Sequence, residues 1–172
     1  MRILVLTTVF LALLAVPAVT LASDPSPANQ ATAQQRCRDQ RNAMTAKDFR
    51  DLYGTNQNKR NAFGKCVSKL AQQEAANQEN AAQQCRTERD ADAVAFADKY
   101  GTNGNKRNAF GKCVSQKAKA KSQAEQQATL NAAKDCKDER ADNAAAFQAK
   151  YGKNHNKQNA FGKCVSLKAK QK

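Results

Sequence analysis

The chain has no tryptophan, three prolines and one histidine, and only 6% of its 172 residues are aromatic. Beyond the first 21 positions large apolar side chains are scarce, and alanine, glutamine, asparagine and lysine take their place. Alanine buries little area, so one conventional core for a domain of about 150 residues is excluded. Several small units or a largely unfolded chain remain. Acid is short as well: 15 Asp and Glu stand against 29 Lys and Arg, a formal net charge of +14. That imbalance implies attraction to anionic partners such as wall polymers, lipid headgroups, nucleic acid or acidic proteins.

Familiar chemical motifs are missing too. No Cys-x-x-Cys pair offers redox exchange or zinc binding. The glycines never form the G-x-x-x-x-G-K phosphate loop. The Asn-rich stretches lack the acids and the closing Glu of a calcium loop. In the sequence repeats described below, His155 occupies the position held by Gln57 and Gly104, a tolerance no catalytic base would show. An enzyme is therefore not expected, and no cofactor or metal is implied.

The first residues read as an export address. Arg2 supplies a basic start, an apolar run follows, and small residues around Thr20, Leu21 and Ala22 suit cleavage after Ala22. Residues 1–22 are expected to be a signal peptide and residues 23–34, with Pro25 and Pro27, a disordered N-terminus. No later apolar run reaches spanning length, so no transmembrane segment is expected after cleavage. The expected location is extracellular or in the cell envelope.

The central feature is a sixteen-residue phrase written three times. It occurs at Tyr53–Ser68, Tyr100–Ser115 and Tyr151–Ser166, and thirteen of its positions are identical in all three. Six cysteines follow the same period, Cys37, Cys85 and Cys136 preceding the phrase and Cys66, Cys113 and Cys164 closing it. Separations within a repeat are 29, 28 and 28, whereas those between repeats are 19 and 23. A crosslink tolerates little change inside its loop and is indifferent to length outside it. The expected bonds are Cys37–Cys66, Cys85–Cys113 and Cys136–Cys164, of fifteen connectivities formally open. Staples of this kind suit exported domains whose cores are too small to hold alone.

Each repeat is expected to be a helical hairpin. The stretch from Cys85 to Tyr100 has no Gly or Pro, and Phe96 and Tyr100 lie four apart on one helical face. Cys85 precedes Phe96 by eleven residues, which puts sulfur and ring on one stripe of a continuous helix. Cys37 and Phe49 are twelve apart, so a later start, a local bulge or a frayed first turn is expected in the first repeat. Gly54, Gly101 and Gly152 stand where a left-handed helix cap is wanted. Asn108 is placed to cap a second helix beginning at Ala109, with Phe110, Cys113 and Val114 on one face. Gly64, Gly111 and Gly162, inside its first turn, are expected to let a partner helix approach closely. The cysteines are out of step for a simple hairpin, so either the Asn-rich turn doubles back or the helices cross steeply.

The resulting fold class is all-α: three tandem disulfide-clamped hairpins at 35–70, 84–118 and 135–172, joined by long polar helical linkers at 71–83 and 119–134. Carried through without a break, the linkers would make rods of about 36 to 40 residues, some 55 to 60 Å long. Partly melted linkers are the competing expectation, since a helix polar all round has no face to dock.

Within the phrase, Gly, Phe, Cys, Val and Asn have structural reasons to recur. The lysines do not: Lys59, Lys106 and Lys157, and Lys65, Lys112 and Lys163, joined by Arg60 and Arg107, gather where a helix dipole is already positive. Unpaired backbone N–H groups, dipole and cations together suit an anion. The expected partner is an anionic polymer or acidic surface of the envelope. Nucleic acid is disfavoured by export and by the lack of spare aromatics for stacking. The alternative is a spacer or protein-interaction module whose basic surface only solubilises.

Overall fold

The computed structural model describes residues 25–171. The expected signal peptide lies outside the described residues, as do the first two positions of the expected N-terminal tail. Seven helices follow: α1 Pro27–Ala43, α2 Ala46–Tyr53, α3 Ala62–Ala91, α4 Ala93–Tyr100, α5 Ala109–Asp142, α6 Ala144–Tyr151 and α7 Ala160–Ala169. The chain is all-α, with the three within-repeat disulfides in place.

Residues 27–34 are helical rather than disordered. Pro27 opens α1 at a position where its missing N–H costs nothing, and Ser26 caps the helix by accepting from Asn29 N. Asn29 and Ala33 are buried, so this turn is anchored by packing.

The first helix of each repeat is broken, which resolves the cysteine mismatch in neither of the expected ways. The long helix ends six residues past its cysteine, at Ala43, Ala91 and Asp142, and a sharp corner starts an eight-residue helix carrying the Phe and Tyr. Asp92 makes one corner in an extended conformation, its carboxylate accepting from Val94 N and Ala95 N at 3.0 and 2.9 Å. Asn143 repeats it, accepting from Ala146 N at 2.9 Å. The extra residue of the first repeat sits in this corner, where Met44 and Thr45 do the work of one residue and Thr45 caps α2. The short helix and the Asn-rich turn thus form an elbow, and the disulfide joins the two long helices that leave it.

Those long helices run antiparallel in sequence order. Cys37–Cys66, Arg36–Glu74 and Gln78–Asn29 link α1 to α3 in opposed register; Cys85–Cys113 and Asn77–Ser122 do so for α3 and α5. Cys136–Cys164 joins α5 to α7. The bridged Cα atoms are 6.0 to 6.1 Å apart. The rods are therefore 30 and 34 residues, about 45 and 51 Å, shorter than a helix continued without the corner.

The polar linkers dock after all, through alanine and a buried polar seam. Glu74 accepts from Arg36 on one oxygen and from Ser122 Oγ at 2.7 Å on the other. Asn77 Nδ2 donates to Ser122 Oγ at 3.0 Å and to Glu125 at 2.8 Å, and Arg36 Nε donates to Gln126 at 3.1 Å. Buried polar groups that find every partner cost little to enclose and specify one register.

The apolar material collects at the elbows. In the second repeat it is Cys85, Phe96, Tyr100, Ala109 and Cys113, with Phe110 and Val114 partly buried around them. The clusters of the first and third repeats touch through Met44 and Leu52, which pack against both. The molecule closes by docking its first elbow on its third.

Candidate basic corners at the helix starts

The repeated turn is built by its asparagines. Asn61 Oδ1 accepts from Thr55 N at 3.1 Å while its amide donates to Thr55 Oγ1 at 2.8 Å. Asn108 does the same with Thr102, at 3.1 and 2.7 Å. The residue expected to cap the second helix therefore clamps the turn behind it, and α3, α5 and α7 begin with no side-chain cap. Asn58, Asn105 and Asn156 each accept from the backbone N–H two residues on.

Two expectations about glycine are corrected. Gly54, Gly101 and Gly152 have φ of -71°, -74° and -71°, so none is left-handed. The left-handed residues are Lys59, Lys106 and Lys157, at φ 53° to 54°. Glycine is needed because each lysine stem lies across it: a Cβ on Gly101 would sit 2.6 Å from both Lys106 Cβ and Ala97 O. Gly64 and Gly111 face open space rather than a partner helix. Gly162 alone meets one, the carbonyls of Asp51 and Leu52 at 3.4 Å from a built Cβ.

The lysines thus divide into two groups. Lys59 Nζ bonds Asp51 Oδ1 at 2.6 Å and Gln158 O at 3.2 Å, and Lys106 bonds Asp98. Burial opposes the charge of Asp51, yet hydrogen bonds from Lys47 and Lys59 hold its pKa below the ordinary value. These two lysines belong to the turn, contrary to the expectation that folding does not need them. In the third repeat Ala149 replaces the acid, and Lys157 has no such partner among the described residues. Lys65, Lys112 and Lys163 are exposed in the first turn of α3, α5 and α7, with Arg60 and Arg107 exposed just before it. None of these five side chains makes an ion pair among the described residues.

Sequence reasoning missed a second charged constellation. Glu88 accepts from Lys99 at 2.5 Å and from Tyr100 OH at 3.0 Å, and pairs with Lys117 at 3.3 Å. Glu139 repeats this with Lys150, Tyr151 and Lys168. Those hydrogen bonds, from Lys99 first and Lys150 first respectively, pull both carboxyls down to about 2. In the first repeat the same positions are Gln40, Leu52 and Leu70, and Tyr53 OH donates to Gln40. Burial pushes the Tyr53 hydroxyl up to about 12. The exchange of a charged triad for Gln, Leu and Leu was visible on alignment of the repeats and marks the elbow that is covered.

An arginine over a phenylalanine recurs in every repeat: Arg41 over Phe63 at 5.4 Å, Arg89 over Phe110 at 5.5 Å and Arg140 over Phe161 at 4.7 Å. Among the described residues no helix is long and apolar enough to cross a membrane. Family models, curated proteins and solved structures provide no match to this chain.

Proposed function

We propose that the chain is an exported, non-enzymatic repeat protein that holds anionic polymers or acidic surfaces of the cell envelope through the basic corners at its helix starts. One observation carries the reading. At the starts of α3 and α5 no side chain caps the helix, Gly64 and Gly111 leave the approach open, and the unpaired cations Arg60 with Lys65 and Arg107 with Lys112 flank it. Exposed backbone N–H groups and a positive dipole end favour an anion there, and the cations add to that preference. In the third repeat the chain itself offers the opposite pole, since the carbonyls ending α2 approach Gly162. Two corners on one rigid body give avidity on a polymer that neither has alone.

The test is retention on heparin or phosphate resin with a salt gradient. Retention should fall steeply with salt. Replacing Arg60 and Lys65, or Arg107 and Lys112, by Gln should each advance elution, and both together should advance it further. Equal loss on replacing Lys117, Lys119 and Lys121 would leave only diffuse charge and reject the corners as sites.

A further inference from the structure

We infer that the second repeat carries an unfilled docking site for an acidic amphipathic helix of another protein, one presenting Asp-x-x-Asp-Leu on a single face. The template lies inside the molecule. In the third repeat, the Arg140 guanidinium lies over Phe161 and bonds Asp48 Oδ1 at 2.5 Å and Asp51 Oδ2 at 3.2 Å. The last turn of α2 rests on Gly162, with the Asp51 and Leu52 carbonyls 3.4 Å from a built Cβ. Leu52 packs into the cluster that contains Phe161 and Val165. Two carboxylates, one leucine and a carbonyl-terminated helix end thus meet an arginine fork, a phenylalanine, a glycine and a helix N-terminus.

The receiving residues recur in the first repeat, where Arg41 lies over Phe63 and Gly64 faces open space, and in the second, where they also open onto a groove. Arg89 lies over Phe110 as Arg140 lies over Phe161, Gly111 follows the ring, and Val114 stands one turn on. Among the described residues nothing covers the glycine. A Cβ on Gly111 would have no heavy atom within 4 Å, and Arg89, 46% exposed, pairs only with its neighbour Asp90 at 3.2 Å. Phe110 and Gly111 open onto a groove of about 880 Å³ that continues along Val114, Ala118 and Leu130 and is lined also by Arg36 and Asp39 of α1 and Glu74 of α3. Glycine in the first turn of a helix costs helix propensity. In the third repeat close approach by α2 offsets that cost, and in the second an external helix would.

The occupant must come from another protein. Asp48, Asp51 and Leu52 are matched in α4 by Ala95, Asp98 and Lys99, and in α6 by Ala146, Ala149 and Lys150. A second copy of this chain therefore has no free segment of the required kind, since α2 is already docked. An Asp-x-x-Asp-Leu helix ending at the groove would place its negative dipole end against the start of α5, its carboxylates on Arg89 and its leucine beside Phe110 and Val114.

This goes beyond attraction to polymers, because it requires shape at Gly111 and Phe110 as well as charge. The probe is a synthetic alanine- and lysine-based helical peptide carrying one Asp-x-x-Asp-Leu face, titrated into the isotope-labelled, disulfide-bonded chain. Saturable amide shifts should be largest at Arg89, Gly111 and Val114, beside the groove, and smaller at Arg41, Gly64 and Val67. Gly111→Leu fills open space without altering charge, so it should leave the remaining spectrum unchanged while weakening peptide binding by about tenfold or more. Asn-x-x-Asn-Leu and Asp-x-x-Asp-Ala peptides should also bind more weakly. Absence of shifts, shifts spread over the surface lysines, or binding that survives Gly111→Leu overturns the inference. Heparin retention of the parent chain bears only on the polymer reading and peptide titration only on this one, so the two fail separately.

Discussion

A lysine in a left-handed turn carries a backbone cost of about 1 to 2 kcal/mol that glycine would avoid. Its recurrence at Lys59, Lys106 and Lys157 follows from the glycine it crosses and, in two repeats, from the acid it reaches. Glycine at 54, 101 and 152 and glycine at 64 and 111 therefore look alike in sequence and differ in kind. Gly101→Ala should destabilise by about 1 to 3 kcal/mol, because the new methyl meets Ala97 O and Lys106 at 2.6 Å. Gly111→Ala should be neutral or stabilising by up to about 1 kcal/mol. Urea melts of the two variants check this pair, and equal effects would contradict it. The repeated phrase announced that something was constrained, but steric contact with a residue five positions away leaves no periodic signature.

At the scale of elements, the elbow is what the sequence concealed. The stretch from Cys85 to Tyr100 has helical composition throughout, so propensity alone runs one helix across Asp92. The signal that was legible is the capping residue: Asp92, Asn143 and Thr45 each begin a short helix whose fourth residue is Phe. Asp92→Ala should cost about 1 kcal/mol in denaturant melts, with Asp92→Asn close to neutral. The elbows also carry the pH dependence. Glu88 and Glu139 have folded pKa values near 2 against an ordinary 4.5, so their contribution is complete above the unfolded value and is lost as pH falls toward 2. Thermal midpoints should drop across about pH 5 to 2, and Glu88→Gln with Glu139→Gln should flatten that drop. A profile identical to the parent's would show that these carboxyls are not its source.

At the scale of the whole molecule, disulfide pairing was readable from spacing because loop length is conserved only inside a crosslink. The packing of the long helices was not readable, since it depends on alanine and on polar groups meeting one another, such as Arg36 with Glu74 and Asn77 with Ser122. Hydrophobic pattern carries no trace of such a seam. Closure of the first elbow on the third was recorded only in coordinated exchanges, Leu52 for Lys99 and Lys150 and Asp48 for Ala95 and Ala146. Leu52→Lys should therefore cost about 1 to 3 kcal/mol, whereas Lys99→Leu in the second repeat loses only the exposed bond to Glu88 and should cost less. Beneath all of this lie the crosslinks, each closing a loop of 28 or 29 residues and worth about 3.5 kcal/mol by chain entropy. Non-reducing peptide mapping of the purified chain tests them most directly. Three linked pairs, Cys37 with Cys66, Cys85 with Cys113 and Cys136 with Cys164, are expected; free thiols, or bridges joining one repeat to the next, would contradict the fold and everything built on it.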